Sequence, residues 1–519
     1  MRNYRAGVRR RTALRAAWAV AAMTALVATA PAAGAAPAAS AAAGTAVAND
    51  AADDVAAQVD GYLAEYIRVH RAPGVALVTL ADGDVRVRVH GVTGDGDPVG
   101  EDTPMRIGSM SKAFTALAVL QQADAGRFDL DDPVAEVLPE FRMADDRYRQ
   151  ITVEDLLDHR SGLAVTALEY SSDPASAPAT TVVRLADEDL AADPGTTAMY
   201  SNAGYTVLAR LVEHTSGMGF GEYLEQRVFA PLGMDSSTAT ELCDAPSPGL
   251  ARGFSGLGPL LVAVPELPQG CAGNGGIVST ARDMTSWLRF QVGDGASPSG
   301  ERLLDAETFR AFHDVPADAA EYGYGWHRTT TEDETAPLIG HGGTLATFAS
   351  GIEFSPVTGT GAVVLSNAAG EPMALTHNAV VAVDGGTPRS TSNPFDPFNA
   401  VVLGIAALVL LAGVVVVVRS RTWAVRRAAG APRWRVLRLV PLAVLTVLGA
   451  LLPWLGAQLM GLAEPVAAYR VVLWLYPAVV LLGLAIFLAA GGGLTARLVR
   501  LRTATAQKAT VRRAPAPHR

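Results

Sequence analysis

A chain of 519 residues, half of them hydrophobic, has room for one large domain or two to three smaller ones and is too apolar to be disordered. Its net charge of −9 hides a split: 50 acids and 21 bases fall between residues 43 and 399, a balance of −29, and one acid, Glu464, follows residue 400. So acidic a region repels nucleic acid and anionic surfaces, which excludes nucleic acid as a partner.

Residues 1–42 read as a secretory signal. Arg2, Arg5, Arg9, Arg10, Arg11 and Arg15 form a positive start, an apolar run from Ala16 to Ala28 follows, and small residues around Ala33-Gly34-Ala35 offer a cleavage site. The apolar run is short for a membrane span, and an uncleaved anchor is the alternative.

Residues 52–384 read as one α/β (α+β) domain. A polar-apolar helix is expected over Asp53–Val69. Val75–Leu80 and Val85–His90, separated by Ala81-Asp82-Gly83-Asp84, predict a β-hairpin with a tight turn. A long apolar helix is expected from Ser109 to a C-cap at Gly126, and Thr152-Val153-Glu154-Asp155 and Thr280-Ala281-Arg282-Asp283 each have the form of a capping box. Late strands are expected at Tyr322–His327, Phe348–Phe354 and Gly361–Ser366. Strands at both ends with helices between predict one antiparallel sheet closed by the two termini. The two cysteines, Cys243 and Cys271, fit either a disulfide or two buried thiols, and an extracellular setting favours the disulfide.

Residues 385–399 read as a linker, 400–495 as three transmembrane helices and 496–519 as a basic tail. The apolar runs are Val401–Val418, Leu439–Leu462 and Val471–Leu494. Seven arginines lie between Arg419 and Arg438, and seven bases follow the third run. By the positive-inside rule both segments are cytoplasmic, which places the domain outside the cell, in agreement with the signal. The expected setting is therefore a multi-pass cell-membrane protein with the lipid bilayer as a partner.

Three short segments carry chemistry. Of 42 basic residues only Lys112 and Lys508 are lysines, and an ammonium can lose its proton where a guanidinium cannot. Lys112 stands three residues after Ser109 in Arg106-Ile107-Gly108-Ser109-Met110-Ser111-Lys112, on one helical face, so a desolvated amine can accept the hydroxyl proton of a serine nucleophile. In Tyr200-Ser201-Asn202 the phenol can serve as a general base beside an ammonium, and the amide can orient the lysine and a substrate carbonyl. In Gly340-His341-Gly342-Gly343-Thr344 the glycines permit close approach to a ligand, and the histidine can donate a hydrogen bond or hold a carboxylate. No Cys/His cluster has zinc-ligand spacing, and no metal or cofactor is expected.

In this order and at these separations the three segments resemble the serine penicillin-recognising enzymes: penicillin-binding proteins, class C β-lactamases and related D-aminopeptidases and esterases. Ser109-Met110-Ser111-Lys112 resembles that family's S-x-x-K motif, Tyr200-Ser201-Asn202 its Y-x-N motif, and His341-Gly342-Gly343 stands where the family has K-T-G or H-x-G. Asp155–Leu163, Gly275–Thr280 and Tyr324-Gly325-Trp326 agree. The resemblance covers about residues 55–383 and implies a β-lactamase/transpeptidase-like domain whose central antiparallel sheet is flanked by helices. It implies Ser109 as the acylated nucleophile, with Lys112 and Tyr200 sharing the acid/base work. Asn202, His341, Gly343 and Thr344 then bind substrate, and the N–H groups of Ser109 and Thr344 form the oxyanion hole. A histidine of near-normal pKa in place of the third-motif lysine is only partly charged, which ranks peptides of D-amino acids or small esters above β-lactam antibiotics. The alternatives are a class C-like β-lactamase and a non-catalytic sensor of wall fragments.

Overall fold

The computed structural model describes residues 47–163, 178–257, 260–315, 322–329, 337–393, 395–428, 431–459, 472–473 and 476–513. The expected signal lies outside them. The chain divides after Asn393 into two compact units.

The strands of the first unit are β1 (Gly74–Ala81), β2 (Asp84–Gly91), β3 (Met105–Arg106), β4 (Thr238–Ala239), β5 (Gly253–Leu257), β6 (Leu260–Val264), β7 (Ile277–Ser279), β8 (Tyr322–Gly323), β9 (Trp326–Arg328), β10 (Ile339–Thr344), β11 (Ala349–Phe354) and β12 (Gly361–Ser366). Seven of them form an antiparallel sheet in the order β2-β1-β12-β11-β10-β9-β8, and β3 to β7 form two smaller sheets. Pairing of β1 with β12, Val75 opposite Ser366, closes the sheet across the two ends of the domain as the sequence predicts.

Alternation along the strands divides the core in two. Val75 and Leu77 of β1, with Ala362 and Val364 of β12, pack against Val59, Leu63 and Tyr66 of α1 (Val47–His70) and against Leu375 and Ala379 of α6 (Pro372–Asp384). Ala76, Val78, Val363 and Leu365 face the larger cluster, which includes α2 (Ser111–Asp124), α4 (Asn202–Ser216) and α5 (Ala281–Gln291). The domain is thus an antiparallel sheet covered by helices on both faces.

Several local expectations are corrected. The helix expected to begin at Ser109 opens with a 3-10 turn, Gly108–Met110, and becomes α-helical at Ser111. Tyr322–His327 is a hairpin of two short strands rather than one strand. Residues 339–344 form an interior strand, although their three glycines are poor strand formers. The Thr152 capping box at α3 (Val153–Leu157) forms in full. At Thr280 only half of it does: the Asp283 N–H bonds Thr280, but the Asp283 carboxylate turns to Ser236 N–H at 2.9 Å and Ser237 Oγ at 2.7 Å.

The second unit contains α7 (Phe395–Arg427), α8 (Val440–Leu459) and α9 (Pro477–Arg513). Three helical stretches, Pro397–Arg427, Arg433–Gly456 and Pro477–Gln507, are long and apolar enough to cross a membrane. Small residues bring them together. A Cβ on Gly413 would lie 2.5 Å from the Ala489 Cβ, and one on Gly449 would lie 2.6 Å from the Phe487 nitrogen. Leu408, Val418 and Leu488 remain exposed, as lipid-facing residues would be.

Cys243 and Cys271 are disulfide-bonded and buried. Closing a loop of 28 residues restricts the unfolded chain by about 3.5 kcal/mol. Replacing both cysteines by serine is expected to lower the unfolding free energy by about that amount, read as a reduced urea midpoint, with a steeper slope as the unlinked unfolded chain expands. An unmoved midpoint would mean that the link carries no stability.

Candidate active site

Ser109 lies in the 3-10 turn ahead of α2, half-buried, at a helix start whose N–H groups have no partner within the helix. One turn on, Lys112 is fully buried. Its Nζ lies 3.2 Å from Ser109 Oγ, 2.7 Å from Asn202 Oδ1 and 2.9 Å from the backbone oxygen of Asn274. It also stands 4.7 Å from the centre of the Tyr200 ring. Two of the three oxygens can only accept hydrogen bonds. A neutral amine has two hydrogens for them and a lone pair left for the serine hydroxyl, and an ammonium can donate to all three. The geometry therefore accommodates the proton on either side of the Ser109–Lys112 pair.

The second segment is fixed at the start of α4. Ser201 caps that helix by accepting from the Gly204 N–H at 3.3 Å, and Asn202 is its first residue. The Ser201 N–H donates to His159 Nδ1 at 3.2 Å. The His159 ring is buried and packs against Tyr200, Tyr205 and Tyr322 at centroid distances of 4.3, 5.1 and 4.5 Å. Burial first, and then Lys112, hold its imidazole well below the usual histidine range, so it is a neutral brace. Sequence reading noticed His159 only as part of a flanking stretch, and it missed Asn274, which contributes through its carbonyl and leaves no side-chain signature.

The third segment is β10, which runs beside the Ser109 turn. A Cβ on Gly343 would lie 2.0 Å from the Ile107 oxygen, so no larger residue fits there. The same oxygen accepts from Ser350 Oγ at 2.7 Å. A Cβ on Gly108 would lie 3.1 Å from the Thr344 nitrogen, which brings the Ser109 and Thr344 amides into one neighbourhood. The loop joining β10 to β11 is held by the buried Glu266, whose carboxylate accepts from Ala346 N–H at 3.1 Å, Thr347 N–H at 2.9 Å and Thr347 Oγ1 at 2.6 Å.

His341 is where the charge expectation fails. Its Nδ1 faces the Gly342 carbonyl at 2.6 Å, which can only accept, so Nδ1 carries the hydrogen. Nε2 has no hydrogen-bond partner among the described residues. Burial, then His327 at 5.0 Å and Lys112, push the His341 pKa well below its ordinary value. It is therefore a neutral imidazole with a free acceptor nitrogen, and not a partly charged one able to hold a carboxylate.

Ser109, Tyr200, His341 and Thr344 all line one cleft of about 630 Å³, together with His327, Arg328, Glu371 and Arg389. The structure thus brings the three segments together around a hydroxyl, a buried amine, a phenol and a glycine-lined strand, an arrangement able to carry acyl transfer.

The Beta-lactamase family model matches residues 55–385. The chain belongs to the β-lactamase family. It is 32% identical over 317 residues to Penicillin-binding protein 4 of Amycolatopsis lactamdurans, covering 57% of this chain and 81% of that protein. It is 26% identical over 375 residues to Protein flp of Staphylococcus aureus, covering 69% of this chain and 74% of that one. Among solved structures it resembles the octameric penicillin-binding protein homologue from Pyrococcus abyssi, with a TM-score of 0.55, 26% identity, and coverage of 67% and 81%. A D-stereospecific amidohydrolase from Streptomyces sp. shares the fold with a TM-score of 0.54 at 24% identity, over 64% of this chain and 99% of that one. The family is a superfamily of serine hydrolases.

Gly343→Ala is expected to leave the domain folded but to push β10 away from the Ser109 turn, lowering kcat/KM on the order of a hundredfold. Unchanged steady-state kinetics would show that the closeness of the two segments is irrelevant to activity.

Proposed function

We propose that the protein is a membrane-anchored serine hydrolase that works through an acyl-enzyme on Ser109, with its catalytic unit outside the cell. Its substrates are D-amino-acid peptides of the cell wall or small esters. The observation that carries this reading is the fully buried Lys112 amine, 3.2 Å from Ser109 Oγ and held by two acceptor oxygens.

In the first step Lys112 takes the hydroxyl proton as Ser109 Oγ bonds to the substrate carbonyl carbon. The negative charge on the carbonyl oxygen is met by the N–H groups of Ser109 and Thr344. The tetrahedral species collapses, the amide or ester bond breaks, and the leaving amine or alcohol receives a proton relayed from Lys112 through Tyr200. Water then attacks the ester on Ser109 with the same groups acting in reverse, releasing the acid and restoring the hydroxyl. Asn202 orients the amine, and His341 lines the cleft as a neutral imidazole whose Nε2 is buried.

A peptide or ester substrate agrees with the uncharged third segment. The similarity to a penicillin-binding protein and to a D-stereospecific amidohydrolase supports a substrate with an amide bond next to a D-residue. Anchorage rests on the three apolar helices, and the outward orientation on the arginines between the first two.

The test is intact mass of the full chain in detergent, before and after a penicillin, with ester and D-peptide hydrolysis assayed in parallel. Ser109→Ala is expected to lose both the adduct and hydrolysis while melting like the wild type, and turnover surviving in that variant would remove Ser109 from the mechanism. Rapid destruction of the penicillin by the wild type would favour a β-lactamase instead. Lys112→Arg is expected to be almost as inactive as Ser109→Ala, because a guanidinium keeps the charge but cannot accept the proton. Normal acylation by that variant would assign the base elsewhere.

A further inference from the structure

The helix bundle of the second unit has one end of a single charge. α7 and α9 run side by side in the same direction: Gly413 meets Ala489, and a Cβ on Gly493 would lie 2.8 Å from Val416 Cγ1. α8 runs the opposite way. Gly449 meets Phe487, whereas Leu442, nearer the start of α8, meets Gly493. The connection from α7 to α8 and the residues after Gly493 therefore share one end of the bundle. By sequence that end carries the seven arginines from Arg419 to Arg438 and the seven bases that follow Leu494, and no acid. Glu464, the one acid after residue 400, belongs to the connection from α8 to α9.

Arg497 is built into this end. Its guanidinium carbon lies 4.8 Å from the centre of the Trp423 ring, and its Nε is buried without a hydrogen-bond partner among the described residues. One turn on, Arg500 Nη1 donates to the Val417 carbonyl at 2.9 Å. Both side chains thus lean from α9 onto α7. The connection is folded back as well: Pro432–Leu437 form a short helix, and Arg435 Nη2 donates to the Ala428 carbonyl at 2.7 Å. Trp434, Val436 and Leu437 of that helix are exposed, beside Arg433 and Arg438. Exposed tryptophan and aliphatic side chains interleaved with arginine are the composition of a membrane–water interface. A guanidinium held against a ring at such a boundary loses part of its hydration and keeps its whole charge. A phosphate can balance that charge, because its oxygens match the planar fork of arginine.

We propose that Arg497 and Trp423, with Arg500, form a phosphate-binding site between α7 and α9 that takes the headgroup of an anionic phospholipid. A lipid fits better than a soluble anion because the site lies where apolar spans end. The exposed stripe of Val414, Val418 and Val425 on α7 continues to the level of Trp423, so an acyl chain can lie on it while the phosphate meets Arg497. The other arginines of this end raise the local concentration of anionic lipid without a fixed geometry. On the orientation proposed above the site faces the cytoplasmic leaflet. It is independent of the chemistry at Ser109, which belongs to the other unit.

The test uses the full chain in dodecyl maltoside and native mass spectrometry, with dioleoyl phosphatidylglycerol, dioleoyl phosphatidylcholine and inorganic phosphate as probes. The first phosphatidylglycerol is expected to bind at a concentration about tenfold lower than the first phosphatidylcholine, the effect of one charge-assisted contact. Arg497→Ala should remove most of that preference and still melt like the wild type in lipid-free detergent, and Arg497→Lys should keep part of it. Arg502→Ala, at an exposed position of α9, should leave the preference intact. Equal affinity for the two lipids, or a preference that survives Arg497→Ala, would overturn the proposal. Equal losses in Arg497→Ala and Arg502→Ala would do the same, since they would show diffuse attraction and no site. Inorganic phosphate that displaces the lipid would assign the site to a soluble anion and overturn the lipid assignment. If Arg497 only braces α7 against α9, Arg497→Ala will lower the lipid-free melting temperature and weaken both lipids in equal proportion, which also overturns it.

Discussion

One buried nitrogen organises the site. Lys112 Nζ collects an oxygen from each of three places in the chain, separated by 3, 90 and 162 residues. An amine removed from water needs such partners, because an unsatisfied buried polar group costs roughly 1–3 kcal/mol. Each segment that supplies an acceptor has its own restraint. His159 and the Ser201 cap hold Asn202. The disulfide at Cys271 and the close passage of Gly273, where a Cβ would lie 2.3 Å from the Tyr205 oxygen, hold Asn274. The turn carrying Ser109 is held from the other side by Ser350. Loosening any of these reaches the serine through the lysine.

The strand that closes the site gives up intrinsic strand preference for proximity. Gly340, Gly342 and Gly343 weaken β10 as an isolated strand. The loss is offset by its neighbours: β11 and β12 are buried along their whole length, and Glu266 fixes the loop beyond Thr344. A rigid sheet thus carries a bare backbone edge up to Ser109. Any side chain at position 343 would collide with the Ile107 carbonyl, so the closeness of β10 to the serine and the glycine content of the strand are one constraint.

Much of this was legible in the sequence, for identifiable reasons. The hairpin at Ala81–Asp84, the Thr152 box and the closure of the sheet by its ends all follow from local turn and capping chemistry or from period-two alternation. The serine-to-lysine spacing reports a helical face, so that pairing could be read directly. What escaped depends on tertiary contacts. Asn274 acts through a backbone oxygen, and Glu266 and His159 act through neighbours distant in sequence. The charge state of His341 is set by burial and by His327, which no spacing rule connects to it. The Thr280 box was misread because Asp283 found better partners in Ser236 and Ser237.

The electrostatics of the unit work on two scales. At long range, the surplus of acids over residues 43–399 gives an anion no steering towards the domain, and at physiological ionic strength that field is screened beyond about 8 Å in any case. At contact range, the cleft holds neutral imidazoles, a buried amine already engaged, and arginine in its wall. On the acyl-transfer reading proposed above, discrimination between charged and uncharged substrates arises after encounter, from hydrogen bonds formed within the cleft, and not from faster arrival. Such a site selects through dissociation and through alignment of the carbonyl with Ser109.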